Sequence, residues 1–74
     1  MSKIPAVKPR KLLQILKKNN FFIHHQRGSH VVLKHNTDRS KRVTLPLHNK
    51  DLKRKTLLSI LQQSGLDKNV LINK

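Results

Sequence analysis

The sequence predicts an α+β sandwich in which helices cover one face of a three-stranded antiparallel sheet. Three observations predict this fold class: apolar residues recur at helical spacing near both ends, three strand-like runs lie between them, and a glycine turn joins the first two runs. Strand runs between helices are typical of an antiparallel sheet with its helices on one face. The predicted order is α-β-β-β-α plus a short C-terminal helix, in a single domain over residues 1–74.

The first helix is predicted to begin at Pro9, because the fixed φ of proline suits a first helical turn. Residues 1–8, which precede it, are expected to form a flexible basic arm. Asn19 and Asn20 end the helix, and Asn20 is suited to the left-handed conformation that closes it. The apolar residues at helical spacing are Leu12, Leu13, Ile15 and Leu16.

The first two strands are predicted to form a hairpin. Residues Phe21 to His25 form the first strand, and Gln26 to Ser29 form a tight turn. Gly28 occupies the turn position that tolerates a positive φ. Residues His30 to His35 then form the second strand.

The third strand is predicted over Arg42 to Leu47, where apolar and polar residues alternate. Pro46 has no amide donor, so this strand is either an edge strand or ends there. Its inward-facing residues are Val43, Leu45 and Leu47.

The second helix is predicted from about Lys53 to Ser64, with Gly65 as its C-terminal cap. Asp67 is suited to cap a short last helix that carries Val70 and Leu71. The apolar stripe of the second helix comprises Leu57, Leu58, Ile60 and Leu61. The predicted core comprises Leu12, Leu16, Phe21, Phe22, Val43, Leu45, Leu57, Ile60 and Leu61.

The charge of the chain indicates an anionic partner. Seventeen Lys and Arg residues face only three acids, which gives a formal net charge of +14. Such an excess exceeds what solubility needs and repels itself within the fold, so nucleic acid, an acidic protein or both are expected as partners. The basic residues are spread over the whole chain, which disfavours a membrane surface as the partner. With two aromatic residues in the chain, backbone phosphates rather than stacked bases are expected to dominate nucleic-acid binding.

The composition also limits the chemistry and the location of the protein. The chain has no Cys, which excludes disulfides, cysteine zinc sites and thiol catalysis. The five histidines have no Glu and no helical His-x-x-x-His spacing beside them, so no metal and no small-molecule cofactor are expected. Neither a signal peptide nor a membrane-spanning run is apparent, and a cytoplasmic protein is expected.

The tripeptide Gly28-Ser29-His30 is the strongest candidate site. Histidine exchanges protons near neutral pH, and the backbone amides of a glycine turn are suited to bind a phosphate oxygen. The spacing alone leaves open a His30 that merely packs or hydrogen-bonds in its strand. Side chains alternate along a strand, so the adjacent His24 and His25 are expected on opposite faces, and His35 is expected to have no catalytic part.

Three segments together resemble the HicA family of toxins, over about residues 8–72. They are Gln26-Arg27-Gly28-Ser29-His30, then Val43-Thr44-Leu45-Pro46 followed by His48, and the helix from Thr56 to Leu66. The resemblance implies a fold like that of double-stranded-RNA-binding domains and metal-independent cleavage of mRNA. It also implies a type II toxin–antitoxin system in which an acidic HicB-like antitoxin covers the His30 face. The chain departs from common family residues at Asn20, His25, Val31 and Lys55, which leaves its RNA preference open.

The same resemblance implies that His30 is the catalytic histidine. Arg27 is the first choice to stabilise the charge of the reacting phosphate, and His48 is a second proton-transfer group or a phosphate contact. Strand alternation predicts Lys34 on the same face as His30. The residues expected to bind the phosphate or the RNA are Gly28, Ser29, Arg27, Lys34, His48, Arg42, Lys53, Arg54 and Lys55.

Two alternatives to an active nuclease remain at this point. A non-catalytic basic module that binds double-stranded RNA, or a decayed toxin, would have the same fold and charge. A module that binds only an acidic protein would also account for the charge, and it is compatible with a toxin held by its antitoxin.

Overall fold

The predicted fold class is confirmed by a computed structural model, which describes residues 5–72. The three strands form one antiparallel sheet in the order β1-β2-β3. The elements are α1 (Pro9–Lys18), β1 (Phe21–Arg27), β2 (His30–His35), β3 (Arg42–Pro46), α2 (Arg54–Ser64) and a 3₁₀ helix (Lys68–Leu71).

The core lies between the two helices and one face of the sheet. α1 contacts β1 and β3, and α2 contacts β3. Alternation along the strands sends Val31 and Leu33 of β2, and Val43 and Leu45 of β3, toward the helices, where all four are fully buried. Within residues 5–72 no helix covers the opposite face of the sheet, which we call the open face.

Local sequence signals fix the ends of the elements as predicted. Asn20 has a φ of +71° after α1, and Gly65 has a φ of +73° after α2. The Asp67 carboxylate accepts the N–H of Asn69 at 3.0 Å and caps the 3₁₀ helix. β3 is an edge strand and also ends at Pro46, which has no N–H to donate.

The predicted end of β1 is wrong, and two other boundaries differ by one residue from the predicted ranges. β1 continues to Arg27, so the turn comprises only Gly28 and Ser29. β3 stops at Pro46, one residue before the predicted end. α2 begins at Arg54, and Lys53 is its N-cap.

Two apolar residues lie at the surface, one predicted in the apolar stripe of α2 and one predicted in the core. Leu58 is 42% exposed, because the buried face of α2 follows Leu57, Ile60, Leu61 and Ser64. Phe22 is 43% exposed, because it alternates with the buried Phe21 and lies on the open face opposite Lys34.

The prediction of a flexible arm over residues 1–8 is wrong at Val7. The Val7 side chain is buried in the core, and its carbonyl accepts the N–H of Leu52 at 2.8 Å. Residues 1–4 lie outside the described part of the chain. None of the helices in residues 5–72 has the length and apolar character needed to cross a lipid bilayer.

Candidate active site

A two-residue turn at the tip of the β1–β2 hairpin presents free backbone donors. Arg27 pairs with His30, which leaves Gly28 and Ser29 as the loop. Gly28 has a φ of +58°, and glycine at the first loop position is typical of a type II′ hairpin turn. A β-carbon at Gly28 would meet no atom within 4 Å. Among residues 5–72, neither loop N–H donates to a backbone carbonyl, so both are available to an oxygen of a ligand.

His30 is exposed at the start of β2, directly after this turn. Its cross-strand neighbours are Arg27 on β1 and Pro46 on β3. Residues paired across an antiparallel sheet share a face, so the Arg27 side chain lies on the same face as the imidazole. An exposed imidazole, a guanidinium and two free amides therefore lie within one hairpin end.

His48 is brought to the same end of the sheet. The N–H of Leu47 donates to the Ser29 carbonyl, which fixes the end of β3 against the turn. His48 follows immediately and is exposed. Its Nδ1 accepts the N–H of Lys50 at 3.3 Å, so the neutral ring carries its proton on Nε2.

The N-terminal turn of α2 adds positive charge at this end, in the helix layer. Gly65, which ends α2, lies against the side chain of Lys41, which precedes β3. The helix therefore runs antiparallel to β3. It begins near Pro46, the end of β3 that pairs with His30. Its first turn has no acidic residue and no side-chain cap, so its dipole adds to the local positive potential. The cations at this turn are the exposed Lys53, Arg54 and Lys55.

Lys34 and Arg42 lie on the open face but away from the turn. The two residues pair with each other across β2 and β3. The predicted placement of Lys34 on the same face as His30 is confirmed. The two residues are four positions apart on β2, so their Cα atoms are about 13 Å apart. The Cα positions of Lys34 and Arg42 are therefore too far from the turn for these residues to contact a phosphate bound there.

A β-bulge in β1 overturns the prediction for His24 and His25. The register shifts between Ile23 and His25, which leaves His24 as an extra residue opposite β2. Both imidazoles are exposed and lie together, with their Nδ1 atoms 3.2 Å apart. The positive charge of Lys34, followed by desolvation and the charges of His25 and Arg42, lowers the pKa of His24 below its ordinary value.

His35 makes structural contacts at the end of β2. Its Nδ1 accepts the N–H groups of Thr37 at 3.2 Å and Asp38 at 3.0 Å. Its ring packs edge-to-face on Phe21, with the ring centroids 5.0 Å apart. His35 therefore ties the β2–β3 loop to the core.

The sequence of this chain matches a known protein family. The family model described as the HicA toxin of bacterial toxin–antitoxin matches residues 9–66. The chain belongs to the HicA toxin family. The match includes both α-helices, all three strands and the turn that carries His30. A comparison with curated proteins gave no match.

Membership of the HicA family supports a toxin role and implies an antitoxin partner in general. In this HicA chain, the predicted site residues fall into two groups. Arg27, Gly28, Ser29, His30 and His48 meet at the hairpin end, with the N-terminal turn of α2 at the same end. The second group, Lys34 and Arg42, lies beside the two bulge histidines, which the sequence analysis did not assign to the site.

The His-His dipeptide was the available signal for this second group. Regular strand alternation would place the two rings on opposite faces. Nothing in the local sequence indicates the bulge that brings them together. Within the described residues, no three His or Asp side chains converge as a metal site would require.

Proposed function

We propose that this chain is the toxin of a type II toxin–antitoxin system and cleaves mRNA without a metal ion, with His30 as the catalytic acid–base residue. The observation that carries the proposal is the exposed His30 beside two free backbone amides, with open space above Gly28. Membership of the HicA family supports the same conclusion.

The reaction requires two proton transfers and stabilisation of charge. A base removes the proton of a ribose 2′-OH, whose oxygen attacks the adjacent phosphorus. An acid protonates the 5′-oxygen as its bond to phosphorus breaks, which leaves a 2′,3′-cyclic phosphate. Histidine suits both transfers because its two protonation states coexist near neutral pH. We assign the proton transfer at the reacting centre to His30.

The turn and Arg27 stabilise the phosphate as negative charge develops on its oxygens. The N–H groups of Gly28 and Ser29 are fixed by the hairpin, so they need no reorganisation as the charge grows. The guanidinium of Arg27 provides paired donors from the same face as His30. His48 contacts a phosphate oxygen through its Nε2–H, since its Nδ1 is occupied by the amide of Lys50.

The remaining cations hold the RNA over a wider surface. Lys53, Arg54 and Lys55 bind backbone phosphates at the His30 end, and Lys34 and Arg42 bind them farther along the open face. An acidic HicB-like antitoxin covers the His30 face and excludes RNA from it. The formal charge of +14 suits both partners, and the site of action is the cytoplasm, where mRNA lies.

Cleavage of a purified mRNA in EDTA, with the parent chain and His30→Ala, tests the proposal. We expect the parent to cleave and His30→Ala to lose about 10²–10⁴-fold in rate, the usual contribution of one acid–base group. Circular dichroism checks that the variant is folded, which is expected because His30 is exposed. Equal cleavage by both proteins contradicts the catalytic role of His30. RNA binding without cleavage by either protein indicates a binding module or a decayed toxin.

A further inference from the structure

The open face carries a second group of cationic side chains, which we call the histidine cluster: His24, His25, Lys34 and Arg42. All three strands contribute to it, since the histidines lie on β1, Lys34 on β2 and Arg42 on β3. Lys34 pairs directly with Arg42 across the sheet. Like charges opposite each other destabilise a sheet, and a bound anion would relieve this repulsion.

Among residues 5–72, no carboxylate lies in this cluster. The three acids are Asp38, Asp51 and Asp67, and each lies outside the strands. Asp38 accepts the N–H and the hydroxyl of Ser40, and Asp67 caps the 3₁₀ helix. The acids of the described residues therefore leave the cluster charge uncompensated, which makes the cluster a suitable place for an external anion.

The two bulge histidines form a pair whose donors depend on protonation. With their Nδ1 atoms 3.2 Å apart, one neutral ring donates its N–H to the other ring. When both rings are protonated, both Nδ1 atoms carry hydrogens and that bond is lost. The two N–H groups are then available to a common acceptor, such as an oxygen of an anion.

We propose that the histidine cluster is a second phosphate-binding site, which holds an RNA backbone phosphate beyond the one at the His30 turn and binds it more tightly when the histidine pair is protonated. This inference rests on the proposed function and extends it to the other end of the open face. Between the two ends lies Val32, a buried side chain paired with His25 and Thr44.

The direction of the pH effect follows from the charges around His24. The groups that face it are His25 on β1, Lys34 on β2 and Arg42 on β3, and all of them disfavour its protonated form. A bound phosphate offsets these charges and raises the pKa of His24, so binding takes up protons. RNA affinity is therefore expected to increase as the pH falls.

Binding of a short single-stranded RNA, measured by fluorescence anisotropy at pH 5.5 and 7.5 in EDTA, tests the site. The His30→Ala background keeps the RNA intact. We expect about tenfold tighter binding at the lower pH, since a rise of about one pKa unit corresponds to a factor of ten. In His24→Gln/His25→Gln this ratio is expected to fall, whereas the exposed Lys68→Gln control retains it.

Lys34→Gln provides a second variant that leaves the bulge residues in place. We expect it to weaken binding at both pH values, because it removes a charge from the same site. An unchanged pH ratio in the folded double histidine variant overturns the inference, and so does unchanged affinity in Lys34→Gln. Amide NMR spectra check that each variant is folded.

Inorganic tripolyphosphate separates this inference from the nuclease proposal. In the parent chain, tripolyphosphate is expected to move the His24 imidazole titration, followed by NMR, to higher pH. If it does so and the parent cleaves no RNA, the anion site stands and the nuclease proposal fails. If the parent cleaves through His30 and tripolyphosphate leaves the His24 titration unchanged, the nuclease stands and the second site is rejected.

Discussion

Residues of the same type have different roles in this chain, some in holding the fold and some at the proposed site. His35 and His30 lie at opposite ends of β2, yet His35 holds a loop through two backbone N–H groups while His30 is exposed beside free amides. Gly28 and Gly65 form a similar pair. Both have φ values in the left-handed region, but one lies at the hairpin tip and the other ends α2.

Alanine at Gly28 is expected to reduce cleavage far more than it reduces stability. A residue with a β-carbon is strained by about 1–3 kcal/mol in this sparsely populated backbone conformation, and the added methyl group meets no protein atom. The same methyl group obstructs a phosphate approaching the turn. We expect cleavage to fall at least about tenfold, because a displacement of about 1 Å can cost about 10²-fold. Chemical denaturation and a cleavage assay measure the two effects.

Gly65→Ala is the control for this change. Gly65 also has a positive φ, so alanine is strained there too, and its methyl group would lie 3.2 Å from the flexible end of Lys41, at the opposite end of α2 from the proposed site. We expect destabilisation with unchanged cleavage. Equal losses of cleavage in the two variants would show that the fold, rather than access to the turn, is responsible.

At the scale of elements, the parts of the fold with a local signal were predictable. Pro9, Asn20, Gly65 and Asp67 act through their own backbone preferences or caps, and each marks the predicted element end. The alternation of Val43 and Leu45 likewise identifies the buried face of β3. These signals are short-range, so the sequence is sufficient to locate them.

Features that depend on packing between elements were not predictable. Val7 is buried because Leu52 pairs with its carbonyl across the chain, and residues 1–8 alone do not encode that contact. The bulge at His24 arises from the register of β1 against β2. For the candidate site, the turn residues are consecutive and could be predicted together, whereas the histidine cluster draws on three strands.

The lowered pKa of His24 makes the stability of the fold depend on pH. The pKa of His24 is lower in the folded chain than its ordinary value, so the unfolded chain binds the proton more readily. Stability is therefore expected to decrease as the pH falls through the range in which histidine titrates. Lys34→Gln removes the largest cause of the shift, and we expect the NMR titration of His24 to move to higher pH. An unchanged His24 titration in Lys34→Gln would contradict the assigned cause.

At the scale of the whole molecule, charge rather than an enclosed pocket defines the proposed binding surface. The turn, the open face and the first turn of α2 are all exposed, and their cations lie on both layers of the sandwich. Binding through phosphates alone gives affinity that falls steeply with salt. The position of a cation, in addition to the net charge, decides its contribution to RNA binding.

Two triple variants that remove the same number of charges test this dependence on position. Lys53→Gln/Arg54→Gln/Lys55→Gln alters the first turn of α2, and Lys11→Gln/Lys17→Gln/Lys18→Gln alters exposed positions of α1. The measurement is the slope of log affinity for single-stranded RNA against log salt concentration. Each lost phosphate contact lowers the magnitude of this slope by about 0.7, so we expect the first variant to lower it by up to about 2. We expect a smaller change in the second variant. Equal slopes in the two would mean that the net charge governs binding and that the α2 turn has no particular part in it.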